Sequence, residues 1–95
     1  MKTIEDVINE LANTLITKNN AYGDAVAKPP VLCPTVSPTT AIAVRLSDKL
    51  ARFASLFGSE QPDNGENLRD TALDAAGYFV LLVRQMDNQK FVEEN

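Results

Sequence analysis

The apolar residues near the start of the chain, Ile4, Val7, Ile8, Leu11 and Leu15, recur at steps of three and four. That spacing lines side chains up along one face of an α-helix. It predicts a helix from Thr3 to about Asn19, with Thr3 and Asp6 as a weak capping box. Glu5, Asn9, Glu10 and Asn13 lie off the stripe. A second helical period carries Ile42, Leu46, Leu50, Phe53 and Phe57, with Arg45, Asp48 and Arg52 on the other side. Ser37 suits its N-cap and Pro38 its first turn, and Gly58 reads as a left-handed stop. A third period runs from near Asn64 to about Asp87 on Leu68, Ala72, Ala75, Phe79, Leu82, Val83 and Met86, and the tail beyond it reads as frayed or lightly docked. No strand pair is expected, because the one β-like run, "VLCPTV", holds a proline. The fold class is therefore all-α, a small bundle of three main helices.

Four of the five prolines, Pro29, Pro30, Pro34 and Pro38, fall between the first two helices. They make a long, proline-rich loop, and long connections in small domains are often functional. The third helix has two characters. Glu66, Asp70 and Asp74, four residues apart, are expected on the face away from the core stripe. Its second half is apolar all round, with Leu73, Val80 and Leu81 pointing away from Leu68 and Phe79. A helix that is apolar on every side has to be covered on every side. Three helices of one protomer do not suffice, so the core is expected to be completed by oligomerisation, as a dimer or higher.

Composition narrows the chemistry. The 95 residues make one domain, 1–95. A net charge of −4 gives no basic excess, so a nucleic-acid polymer is not an expected partner. A small phosphorylated ligand needs only a few placed cations and stays open. The absence of histidine removes Ser/His/Asp and Cys/His catalysis and most zinc sites. The one cysteine, Cys33, allows no intramolecular disulfide and has no partner base, so it reads as a small, partly buried side chain. No apolar run approaches the ~20 residues of a membrane span, and the acidic start "MKTIEDVINE" is no secretory signal. A cytoplasmic protein without membrane contact is expected.

What remains for chemistry is carboxylate, lysine, arginine, tyrosine and hydroxyl. Asp70 and Asp74, one turn apart, could offer oxygens to one Mg²⁺. The alternative is a salt-bridged stripe in which Arg45, Asp48, Arg52 and Arg69 meet these acids. In "KNNAYGD", Lys18, Tyr22 and Gly23 could meet a phosphate and stack on a base. The same residues also suit a helix C-terminus, with Lys18 on the dipole and Gly23 in the turn.

Three stretches in order, "KNNAYGDA", "AVRLSDKLARFASL" and "ENLRDTALDAAGYFVLL", resemble small phage and prophage proteins of the nucleotide-modification-associated type. These belong to the broader MazG-like all-α nucleoside triphosphate pyrophosphohydrolases. The resemblance covers about half of the chain, from Lys18 onward. It implies an oligomeric all-α bundle with Mg²⁺ as cofactor, splitting a (deoxy)nucleoside triphosphate between its α- and β-phosphates. Carried over, Asp48, Glu66, Asp70 and Asp74 would be the metal set, with Asp48, Asp70 and Asp74 catalytic. Lys18, Tyr22 and Lys49, joined by Arg45 and Arg52, would bind the nucleotide. The chain departs from the family at one helix, where "RLSDKLAR" offers a single acid in place of a paired E-x-x-E element. Two functions therefore stand side by side. One is a Mg²⁺-dependent hydrolase. The other is a non-catalytic phage oligomer that sequesters nucleotides, including cyclic signalling nucleotides of host defence.

Overall fold

A computed structural model describes residues 1–58 and 68–94, the last five of these as backbone only. Thr3 opens α1, Ile4–Ala21, by accepting from the backbone N–H of Asp6 while the Asp6 carboxylate accepts from the N–H of Thr3. The expected capping box is thus complete. At the far end the N–H of Gly23 reaches the Asn20 carbonyl and that of Asp24 the Asn19 carbonyl. This is a Schellman ending, which needs a left-handed residue after the cap, and Gly23 supplies it at φ 61°. Asp24 follows at φ 56°, a conformation that aspartate tolerates better than most residues. A short 3-10 turn, Ala25–Ala27, comes next. From Lys28 to Ser37 the chain makes tight turns, in which the N–H of Cys33 bonds the Pro30 carbonyl and that of Val36 the Cys33 carbonyl.

Helix α2, Pro38–Phe57, has Ser37 as its N-cap, with the hydroxyl accepting from the Thr40 N–H at 3.1 Å. Pro38 sits in the first turn, as expected from its fixed φ. Its end differs from expectation. Gly58 is right-handed, φ −82°, so no left-handed glycine stops this helix. Helix α3 is Leu68–Glu94. It passes well beyond Asp87, so the backbone there is helix and not a frayed tail. The expected start near Asn64 lies outside the described residues. Among the described residues there are three α-helices, one 3-10 turn and no strand.

α2 and α3 form the main packed pair. They run antiparallel, since Thr39 meets Gln89 and Lys49 meets Asp74. Between them lie Ile42, fully buried, and Leu46, Ala75, Leu81 and Thr71. α1 lies along α3 in the parallel sense, tied at one end by Glu10 to Arg69 and at the other by Asp24 to Arg84. Between these ties Leu11 and Leu15 lie over Gly77. No residue of α1 is buried, and Ile4 and Ile8, from the expected core stripe, are exposed.

The inward face of α3 also differs from expectation. Ala72, Phe79, Val83 and Met86, assigned to the core by their spacing, are exposed, whereas Leu81, assigned to the outside, is buried. The true inward positions include Thr71 and Gly77, which carry no hydrophobic signal. Cys33 is exposed rather than partly buried. No described helix is long and apolar enough to cross a membrane.

Candidate functional site

The three helices leave a cleft of about 440 Å³ between them. α1 contributes Leu11, Thr14, Leu15, Lys18 and Asn19, with Tyr22 at its exit. α2 contributes Arg45 and Lys49. α3 contributes Leu73, Asp74, Gly77, Tyr78 and Leu81. The placement follows from helical spacing. Lys18 lies one turn past Thr14 on the α1 face that meets α3, and Arg45 and Lys49 lie one turn apart on α2. The floor is apolar, of leucine and glycine, and charged and aromatic groups stand around it. This is the usual make-up of a small-molecule site.

The cleft's charges are only partly matched within the chain. Lys49 Nζ lies 3.4 Å from Asp74 Oδ2. Glu10, at the rim, receives both terminal nitrogens of Arg69, at 2.7 and 2.9 Å, and Lys2 at 3.2 Å. These hydrogen bonds, that of Arg69 first, hold the Glu10 carboxyl down at about 2. Both acids of the cleft are thereby neutralised. Lys18 and Arg45 have no ion-pair partner among the described residues. The site thus offers two uncompensated cations beside two tyrosines, Tyr22 being 73% exposed and Tyr78 half-buried. Below the mouth, Asp24 accepts from Arg84 at 2.7 Å. That bond is the main reason its carboxyl lies below the ordinary range, and it fixes the turn that carries Tyr22.

Of the nucleotide-binding residues expected from sequence, Lys18, Tyr22, Arg45 and Lys49 meet in this one cleft, and Arg52 lies outside it. Among the described residues the expected carboxylates Asp48, Asp70 and Asp74 form no group of three. Asp74 lines the cleft in the pair with Lys49. Asp48 and Asp70 are exposed and line no part of it. Glu66 lies outside the described residues. Nor do the arginines named above meet Asp74, since Arg69 serves Glu10 and the lysine at 49 takes the acid. Among the described residues no three Asp, Glu, Cys or His side chains come together to hold a metal ion. Mg²⁺ is usually held by one or two carboxylates together with substrate phosphates and waters, and of the expected metal set only Asp74 faces the cleft among the described residues. Sequence reasoning missed Glu10, Asn19, Gly77 and Tyr78. Glu10 reads as solvent-facing, and Gly77 carries no chemical signal.

Comparisons with protein-family models, with curated proteins and with solved structures find no match to this chain.

Proposed function

We propose that this chain is a nucleotide-binding protein that holds its ligand in the cleft between α1, α2 and α3. The observation that supports this most is the juxtaposition of unpaired Lys18 and Arg45 with Tyr22 and Tyr78 around an apolar floor. Phosphate pairs with the two cations by charge-assisted hydrogen bonds. The base stacks on a tyrosine face, which accepts any base because every base has a π-face. Arg45 and Lys18 lie on different helices of the same cleft, so the phosphates of one ligand would tie α1 to α2. The net charge of −4 fits a small ligand rather than a polymer.

The ligand is held and released intact. This choice over hydrolysis is favoured by Asp74, which is engaged by Lys49 rather than left to a metal or a water. In this reading the protein acts as a homo-oligomer that sequesters nucleotides. Isothermal calorimetry against mono-, tri- and cyclic di-nucleotides, in EDTA and again with Mg²⁺, tests it. Binding in EDTA that is lost in Lys18→Ala and Arg45→Ala is expected. Binding that requires Mg²⁺, or pyrophosphate release from a triphosphate, would instead establish the MazG-like hydrolase reading.

A further inference from the structure

The outward face of α3 carries a second apolar pattern that the protomer does not use. Ala72, Ala76, Phe79, Val83 and Met86 follow one another at steps of four, three, four and three. That is the spacing of a coiled-coil seam. Phe79 is 48% exposed, Val83 56% and Met86 54%; Ala72 is exposed as well, and Ala76 is half-buried. Arg69 and Asp87 close the stripe at its two ends, and no charged residue lies on it between them. On α2, Leu50 and Phe57 are exposed too. At 100° per residue they fall on the far side of the buried Ile42 and Leu46 from Arg45 and Lys49, so they border the flank away from the cleft.

The exposed surface of the whole chain is large enough for a second copy to cover part of it. A folded monomer of 10.4 kDa exposes about 5,400 Å², whereas this chain exposes 7146 Å². The surplus of about 1,700 Å² is roughly twice the ~800 Å² that one partner gives up in a standard interface. Its radius of gyration, 15.2 Å, exceeds the about 12 Å expected of a compact 95-residue chain.

The stripe is also graded along its length. Its N-terminal half is small, Ala72 and Ala76, and its C-terminal half is large, Val83 and Met86, with Phe79 between. We propose that a second copy of this chain docks here, its α3 antiparallel to the first about a two-fold axis at Phe79. That arrangement sets Ala72 against the partner's Met86 and Ala76 against the partner's Val83, small against large on both sides of the axis, where Phe79 meets its own copy. A parallel pairing would set large on large at one end and leave a gap at the other, which close packing disfavours. A two-fold contact is self-complementary and closes on itself. The seam from Ala72 to Met86 is about 21 Å long at 1.5 Å per residue, and the α2 flank widens it. Because Asp74, Gly77 and Tyr78 line the cleft on the other side of α3, pairing through this face leaves both clefts open. The inference rests on the oligomeric part of the reading above and is independent of the ligand.

Light scattering coupled to size exclusion, with the full chain, is the first measurement. A dimer or larger assembly is expected. A monomer at tens of micromolar would overturn both the oligomeric reading and the seam. Val83→Glu and Ala76→Glu should each lower the assembly state, while Val44→Glu, at an exposed apolar position on the outer side of α2, should not. Far-ultraviolet circular dichroism confirms that each variant is helical. Assembly that survives both α3 variants overturns the seam and leaves the oligomeric reading standing. Register is read with single cysteines in a Cys33→Ser background and a short bis-maleimide. Phe79→Cys should crosslink with itself, and Ala72→Cys only when mixed with Met86→Cys. Efficient self-crosslinking of Ala72→Cys would overturn the antiparallel arrangement.

Discussion

Gly77 sits in the middle of α3, where glycine is the least favourable residue after proline. Gly77→Ala removes about 1 kcal/mol of that penalty. Whether the gain survives depends on the space for a methyl group. A Cβ built at Gly77 lies 3.5 Å from Leu15 Cδ1 and 3.7 Å from Leu11 Cδ1, both ordinary contact distances. No neighbour has to shift, and the methyl is buried against two leucines, adding up to ~0.8 kcal/mol. The substitution should therefore stabilise the fold by about 1–2 kcal/mol. For a chain of this size that raises Tm by about 4–8 °C per kcal/mol. Thermal unfolding followed by circular dichroism at fixed protein concentration is the assay, since association makes Tm depend on concentration. A fall in Tm would refute the geometry, and with it the docking of α1 over Gly77. The same methyl faces the cleft floor, so nucleotide should bind the stabilised variant more weakly.

Two further outcomes follow from the core and from the α1 tie. Ile42 is the one described large side chain with no exposure, so Ile42→Ala should cost about 2–5 kcal/mol. Against a typical stability of about 5–15 kcal/mol, that lowers the urea midpoint sharply, and a change below about 1 kcal/mol would contradict the assigned core. Glu10 has its carboxyl lowered from the ordinary 4.5 to about 2 by Arg69 and Lys2. A lowered carboxyl stabilises the fold above its unfolded value and loses that contribution as pH falls. The difference in Tm between the native chain and Glu10→Gln should therefore be full above pH 4.5 and vanish towards pH 2. A difference that does not change across that window would place Glu10 away from Arg69.

The helices were legible because their signals are local. Thr3 with Asp6 and Ser37 with Pro38 act within one turn, and each cap forms where the sequence places it. The burial of α3 was not legible, for a physical reason. Its C-terminal half is apolar at nearly every angle, so periodicity does not choose a phase, and the stripe of Phe79, Val83 and Met86 reads as well as any. The phase is set by what α1 and α2 offer. α2 brings Ile42 and Leu46 to Thr71, Ala75 and Leu81, and α1 brings Leu11 and Leu15 to the gap left by Gly77. Of the expected cleft residues, Lys18 and Tyr22 were legible at the exit of α1, whereas Arg45 and Lys49 came in through the resemblance. Their convergence depends on the parallel docking of α1, which rests on Glu10 with Arg69 and Asp24 with Arg84. Such long-range pairs leave no mark on local spacing.

Asp74 separates the two chemical readings of the site most sharply. An aspartate leading into the most hydrophobic part of a chain needs a counter-charge, and Lys49 supplies it from α2 at 3.4 Å. If the carboxylate acts only as that counter-charge, it holds part of the cleft's positive potential in check. Asp74→Asn then keeps the shape and frees Lys49 for the incoming phosphate. Removing one unit charge about 4 Å from an anion in a watery cleft is worth about 1 kcal/mol, roughly a fivefold gain in affinity. Calorimetry in EDTA should show that gain. If Asp74 were a metal ligand or positioned an attacking water, the same variant would lose Mg²⁺-dependent binding or turnover and gain nothing without the metal. Tighter binding and loss of function are opposite signs from one substitution, so a single titration series decides between a counter-ion and a catalytic acid.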